Sequence, residues 1–182
     1  MKTELLIITA LESELKREAL PSGVEIVYTG IGKINAAITS IKAIHQYSPK
    51  RILNFGTVGK INPQLHGLLE IGKVIQRDMD AEPLAPRGST PFCIRPQEYL
   101  STGQFLCGSG DSFVTAQDPW LLSQGVDVVD MELFLAELSI DWKCASDICC
   151  VESICLCTRI NQDEIALLNL AIIANPVKDA SV

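Results

Sequence analysis

Five apolar runs in this 182-residue chain are each followed at once by residues that can do chemistry. "ELLIIT" leads into "ALESE", with Glu12 and Glu14, and "VEIVYT" leads into "GIGK", residues 30–33. "RILNF" precedes "GTVG", residues 56–59; "GQFLCGSG" precedes "DSFV", residues 111–114; "GVDVV" precedes "DME", residues 130–132. Three carboxylate clusters and one aromatic ring at comparable places suit a neutral, polyhydroxylated ligand with a flat ring. Carboxylates accept hydrogen bonds from hydroxyls, and a Phe stacks on a planar heterocycle. Each element also has a plainer use. Gly30 and Gly32 permit a tight turn, Glu12 and Glu14 fit as first-turn charges on a helix dipole, and Phe113 and Phe134 could be core. What carries weight is the order of the five stretches along the chain.

The elements that must position them follow from the apolar pattern. Continuous apolar runs at residues 4–9 and 51–55 and the alternating, β-branched run at 24–29 predict strands. Between them, Leu11, Leu15 and Leu20 are spaced as on a helix that "PSG" stops, and Ile34, Ala37, Ile38 and Ile41 form a helical stripe that "SPK" ends. A strand near residues 73–77, a Pro-containing loop with Pro83, Pro86 and Pro91, and two short strands before Asp111 and Asp130 come next. "MELFLAELS" starts a helix, a last strand lies between "WKCA" and "ICLCTRI", and "DEIALLNLAIIAN" closes the chain. Strands alternating with helices pair in parallel through right-handed crossovers. The expected fold is therefore α/β: a single domain over residues 1–182, a three-layer sandwich with a mostly parallel central sheet. In such sheets ligands bind beyond the carboxyl ends of the strands, where the five stretches would lie.

Composition narrows the function. Hydrophobic residues make up 47% of the chain and charged residues 20%, a globular balance. A net charge of -7 without a basic stripe argues against nucleic acid. Acidic residues flank the short N-terminal apolar run, which predicts neither a secretory leader nor a membrane span and so a cytoplasmic protein. The seven cysteines form no C-x-x-C pair and only His45 and His66 could join them, so no metal is expected and the thiols read as small buried hydrophobes. "GIGK" lacks the third glycine of a dinucleotide fingerprint because residue 35 is Asn, and "GTVGK" is too short for a phosphate-binding P-loop. No organic cofactor is implied.

The succession "IITALESEL", "TGIGKINAA", "NFGTVG", "GDSF", "VVDMEL" and "KCASD" resembles the purine nucleoside phosphorylase/nucleosidase superfamily, and within it the 5′-methylthioadenosine/S-adenosylhomocysteine nucleosidases. The resemblance covers the chain to about residue 147. It implies a nucleoside phosphorylase-like fold, hydrolysis of the N-ribosidic bond of an adenosine-type nucleoside, and a homodimer. Carried over residue by residue, it makes Glu14 the base that activates water. Ile31 would line the ribose side, Thr57 would sit near sugar and nucleophile, and Phe113 would stack on the purine with Val114 beside it. Met131 would contact the ribose, and Glu132 would accept from its hydroxyls. An acid must also protonate the departing purine. "KCASD" nominates Asp147 with Ser146 in support, although the segment from Glu132 to Asp147 is shorter than the family's. A second alignment takes "SICLCTRI" as the strand and puts Asn161, which has no titratable proton, at the acid position, which would imply a homologue that binds a nucleoside without cleaving it.

The superfamily's phosphorylases carry Arg in a Gly-rich segment near the first strand and again before the third-strand turn. Here those places read "ALESEL" and Asn54, with Arg51 at the strand's start. Water rather than phosphate is the expected nucleophile.

Overall fold

The computed structural model describes residues 3–94, 97–101, 103–134 and the strand at 150–157. The first three runs form β1 (Leu5–Thr9), β2 (Val24–Tyr28) and β3 (Arg51–Thr57), paired in parallel with β1 in the middle. Their continuous apolar character is used on both faces. Leu6, Ile8 and Ile52 pack against Ala43 and Ile44 of α1 (Lys33–Tyr47), whereas Ile7, Ile26, Leu53 and Phe55 pack with Leu15 in a separate cluster.

Helix α1 forms where expected but buries a different stripe. Ala36, Ser40, Ala43 and Ile44 are its buried residues, while Ile34 and Ile38 are 69% and 48% exposed. Small side chains let the helix come close to the sheet, and close packing decides the buried face more than the count of isoleucines. The helix expected over "ALESELKREAL" is also corrected: only a 3₁₀ turn, Arg17–Ala19, forms there. The chain turns at Leu11, whose carbonyl accepts from the Glu14 N–H at 3.0 Å, while the Glu14 carboxylate accepts from the Leu11 N–H at 2.9 Å. This local carboxylate bond competes with a helical path, leaving Leu15 buried and Leu11 exposed.

The rest is β4 (Gly59–Lys60), β5 (Gly67–Gln76), β6 (Glu98–Leu100), β7 (Phe105–Ser109), the short helix α2 (Pro119–Ser123), β8 (Val128–Asp130) and β9 (Cys150–Cys157). The strand expected at residues 73–77 is thus the second half of the longer β5. The sheet order is β2-β1-β3-β9-β5-β7-β8-β4, with β6 beside β5. Two parallel sets, β2-β1-β3-β9 and β5-β7-β8, meet at an antiparallel pairing of β9 with the first residues of β5. The α/β class and mostly parallel sheet are as expected; the antiparallel seam is not something the strand–helix rhythm indicates. A single residue, the buried Val58, separates β3 from β4, so the far edge of the sheet returns to the end of β3 and the sheet curls.

The bend lies in β5, whose register with β7 shifts between Ile71 and Lys73. A Cβ on Gly72 would overlap the carbonyl of Gly103, and one on Gly103 would overlap the carbonyl of Glu70, so the two backbones touch where a side chain cannot fit. Gly72→Ala should therefore destabilise by about 1–3 kcal/mol, as overpacking typically does. A lower denaturant midpoint with an unchanged slope checks this, and an unchanged midpoint would refute the close approach.

Candidate functional site

Glu14, one turn beyond β1, is buried although it is a carboxylate. Its Oε2 accepts from Thr9 Oγ1 at 3.0 Å and from the Leu11 N–H at 2.9 Å. Its Oε1 accepts from the Thr57 N–H at 2.9 Å and from Thr57 Oγ1 at 2.7 Å. Donors from the ends of β1 and β3 thus converge on one group, which is how a carboxylate can be taken out of water without a cation. Glu12, two residues earlier, is exposed. Of the two acids in "ALESE", only Glu14 is built into the molecule.

Beyond β2 the chain turns through Gly30 and Gly32, at φ 78° and 99°, a region in which L side chains are strained. The turn aims two successive N–H groups at two carboxylates from the other half of the sheet. Gly32 donates to Glu132 Oε1 at 2.9 Å and Lys33 to Asp111 Oδ1 at 2.7 Å. Glu132, just past β8, has its carboxyl pushed up to about 7. Burial is the main cause, opposed by the Gly32 N–H and reinforced by the negative charges of Asp130 and Glu14. The Gly32–Glu132 hydrogen bond joins the turn after β2 to the residues after β8, so the two parallel sets of strands share one mouth.

A ring of polar contacts closes that mouth. Lys33 Nζ donates to Asp78 Oδ1 at 2.6 Å, and Asp78 Oδ2 accepts from the Asp111 N–H at 2.8 Å. Burial raises the Asp78 carboxyl, but the Lys33 ammonium and the Asp111 N–H more than offset it, leaving its pKa below the usual value. The buried Arg77 pins the same region by donating to the carbonyls of Gly108, Gly110, Ser112 and Asp130. The Pro-containing loop is held elsewhere: Arg87 pairs with Asp118 at 2.6 Å and lies 4.4 Å over the Trp120 ring, fastening the loop to α2.

The residues singled out in the sequence thus fall as follows. Glu14, Thr57 and Glu132 are joined to the mouth by hydrogen bonds. Ile31 lies in the glycine turn and is half-exposed, Phe113 follows β7 and is 81% exposed, and Val114 packs partly buried against Leu121, Val126 and Val129. Met131 is partly buried between Asp130 and Glu132. Phe113 is thus not core, whereas Phe134 is. Ser146, Asp147 and Asn161 lie outside the described residues. Sequence reasoning gave no role to Lys33, Asp78, Arg77 and Asp130. The available signal was their place at the ends of strands, which Asp130 and Lys33 share with the nominated residues. Among the described residues, no group of three or more His, Cys, Asp or Glu could hold a metal, and no helix is long and apolar enough to cross a membrane.

Comparison with known proteins adds three findings. The family model of the Phosphorylase superfamily matches residues 22–136. The 5′-methylthioadenosine/S-adenosylhomocysteine nucleosidase of Staphylococcus aureus is 31% identical over 110 residues, covering 50% of this chain and 48% of that protein. The enzyme of the same name from Staphylococcus haemolyticus is 39% identical over 61 residues, covering 31% and 27%. The chain thus aligns with half or less of the length of these curated relatives. In fold it is similar to a futalosine hydrolase mutant of Helicobacter pylori, with a TM-score of 0.79 at 16% identity, covering 94% of this chain and 96% of that one. It is also similar to the Neisseria meningitidis methylthioadenosine/S-adenosylhomocysteine nucleosidase in complex with methylthio-immucillin-A, with a TM-score of 0.75 at 19% identity, covering 96% and 97%.

The raised Glu132 carboxyl makes a prediction about stability. Between its ordinary value and about 7 the folded protein keeps a proton that the unfolded chain has lost, so stability falls as pH rises through that window and levels off above it. Removing the titrating group should flatten this slope. Melting temperatures of the ligand-free protein and of Glu132→Gln at about pH 5 and about pH 8 check it. The wild type should lose more on going to the higher pH, and equal losses would refute the shift.

Proposed function

From the Phosphorylase superfamily, to which this chain belongs, we propose that the protein is a purine nucleosidase that hydrolyses the N-ribosidic bond of an adenosine-type nucleoside of the 5′-methylthioadenosine/S-adenosylhomocysteine class. The observation that carries this reading is the two acids at the strand ends: a buried Glu14 held with Thr57, and a Glu132 hydrogen-bonded to the glycine turn. The names of the curated relatives agree with it. In this reading Glu132 receives the ribose hydroxyls, with Met131 and Ile31 beside the sugar, and the open face of Phe113 takes the purine next to Val114. Glu14 removes a proton from water as its oxygen bonds to the anomeric carbon. The electron pair of the broken C–N bond passes into the purine, and an acid supplies a proton to a ring nitrogen. General acid–base assistance of this kind is worth roughly 10²–10⁴-fold in rate.

The direction of β9 bears on that acid. β9 runs parallel to β3, with Cys150 opposite Arg51 and Leu156 opposite Thr57, the residue that holds Glu14. Asp147 precedes Cys150 by three residues, a reach of about 10 Å at most. Cys150 and Leu156 are six residues apart along the strand, about 20 Å. Chain connectivity therefore favours an acid that follows Cys157 over Asp147 with Ser146, and supports the alignment that takes "SICLCTRI" as the strand. That alignment puts Asn161 at the position, and the first carboxyl after it is Asp163. We propose Asp163, the first side chain after β9 that can give up a proton near neutral pH, as the acid; without it this alignment describes a binder that does not cleave.

Water as nucleophile is supported by how cations among the described residues are used. Arg77 is spent on carbonyls, Arg87 on Asp118 and Lys33 on Asp78, while Arg51 opens β3 at the end away from Thr57. A homodimer is supported by the exposed Ile31, Ile34 and Ile38 at the start of α1, with the exposed Leu11, as an apolar face for a second copy. Among the described side chains, Cys93 and Cys107 form no disulfide, which fits a cytoplasmic location.

Assays with methylthioadenosine test the activity. Release of adenine should proceed without phosphate and yield the free sugar; strict phosphate dependence with a sugar phosphate as product would overturn the choice of water. Glu14→Gln should lose about 10²–10⁴-fold in turnover yet keep binding, and Asp163→Asn should fall similarly while Asp147→Asn stays active. The reverse order of the two aspartates would restore Asp147. For the dimer, light scattering should report twice the 19.8 kDa chain mass, with Ile38→Asp shifting it to the monomer; a wild-type monomer would exclude it.

A further inference from the structure

Asp130, the last residue of β8, is a buried acid to which the proposed chemistry gives no task. Its side chain is nonetheless fully engaged. A single oxygen, Oδ2, accepts from the Glu132 N–H at 3.1 Å and from the Leu133 N–H at 2.6 Å. The other, Oδ1, lies 3.6 Å from Cys107 Sγ, and Ser109 adds a side-chain hydrogen bond. Ser109 Oγ accepts in turn from the Phe134 N–H at 3.2 Å. The main chain is fixed as well, because the Asp130 carbonyl accepts from the Gly110 N–H at 3.1 Å and from Arg77 at 3.4 Å. Three successive N–H groups, at residues 132, 133 and 134, are thus satisfied by Asp130 and Ser109. This determines how the chain leaves β8 and turns helical at Leu133.

We propose that Asp130 is a positioning residue for Glu132: by holding the Glu132 and Leu133 N–H groups on one oxygen, it sets the backbone from which the Glu132 carboxylate reaches the Gly32 N–H and the ligand. The inference rests on the ribose role proposed for Glu132. Glu132 has one hydrogen bond at 2.9 Å from across the mouth, and a shift of its backbone would break it. The groups facing Asp130 are Cys107 and Ser109 from β7, Arg77 beyond β5, and Glu132 itself.

The geometry separates shape from charge. Asn at position 130 can place its carbonyl oxygen where Oδ2 lies and keep both N–H bonds, leaving its amide toward Cys107. Glu keeps the charge but carries the oxygens one methylene too far. In a Glu14→Gln background, which blocks turnover, calorimetry would measure adenosine and free adenine on Asp130→Asn, Asp130→Glu and Glu132→Gln, each with its melting temperature. Asp130→Glu should lose adenosine affinity about tenfold or more, as Glu132→Gln does, with adenine unchanged. Asp130→Asn should stay within about twofold of the background for both ligands. A merely structural role would weaken adenosine and adenine together, and that result, or an Asp130→Asn as impaired as Asp130→Glu, would overturn the proposal. Glu132→Gln binding adenosine normally would overturn the ribose role and the proposal with it. Adenosine lost in Glu132→Gln but kept in Asp130→Glu would overturn the positioning alone.

Discussion

Glu14 and Glu132 bring charges of the same sign into a region partly shut off from water, and the rest of the site is arranged around the cost of doing so. Charges of like sign repel, and more strongly where water is partly excluded. Among the described residues, neither acid takes part in an ion pair. The structure surrounds one with four donors from the ends of β1 and β3, and gives the other a single N–H from the glycine turn. Glu132, buried, with the Gly32 N–H and two negative neighbours, has its carboxyl pushed up to about 7, mainly by burial. Asymmetry between two nearby acids is what allows one to serve as a base while the other binds.

That arrangement depends on the curl of the sheet. β1 and β3 belong to one parallel set and β8 to the other, and the seam between the sets is antiparallel. In a flat sheet their carboxyl ends would point in opposite directions. The bend in β5, where Gly72 and Gly103 meet backbone to backbone, and the one-residue link between β3 and β4 turn the second set round until Gly32 can donate to Glu132. The Lys33–Asp78–Asp111 ring then ties the turns after β2, β5 and β7 together. The most local feature of the site, a 2.9 Å hydrogen bond, thus spans one hundred residues of sequence.

This explains which parts could be read from the chain. The strands β1, β2 and β3 announce themselves because a strand buried on both faces must be apolar throughout, and the residues that follow them are at the mouth for the same reason. The stretches that hold Glu14 and Thr57 were legible on that ground, and the choice of those residues, and of Glu132 after β8, came from the family resemblance. The turn over residues 10–15 was not, since Leu11, Leu15 and Leu20 have helical spacing and only the bond from the Leu11 N–H to Glu14 shows that the chain goes elsewhere. Nor was the buried side of α1, where Ala36, Ser40 and Ala43 give a weaker hydrophobic signal than the exposed isoleucines. The antiparallel seam and the roles of Lys33, Asp78 and Asp130 come from partners remote in sequence, which periodicity does not register.

The saturation of Glu14 constrains how hydrolysis would proceed. A carboxylate offers about four lone-pair sites, and four donors already point at Glu14. To take a proton from water it must release one of them. The N–H groups of Leu11 and Thr57 are fixed by the backbone and cannot turn away without moving the chain, and Thr9 Oγ1 sits in a buried residue. Thr57 is exposed, and its hydroxyl can rotate on its own bond. Once rotated, it frees an oxygen of Glu14 and can accept from, or donate to, the same water. The residue that completes the resting cradle is thus the one that can open it, and a serine or threonine at position 57 follows from the need for a donor that is both close and able to turn.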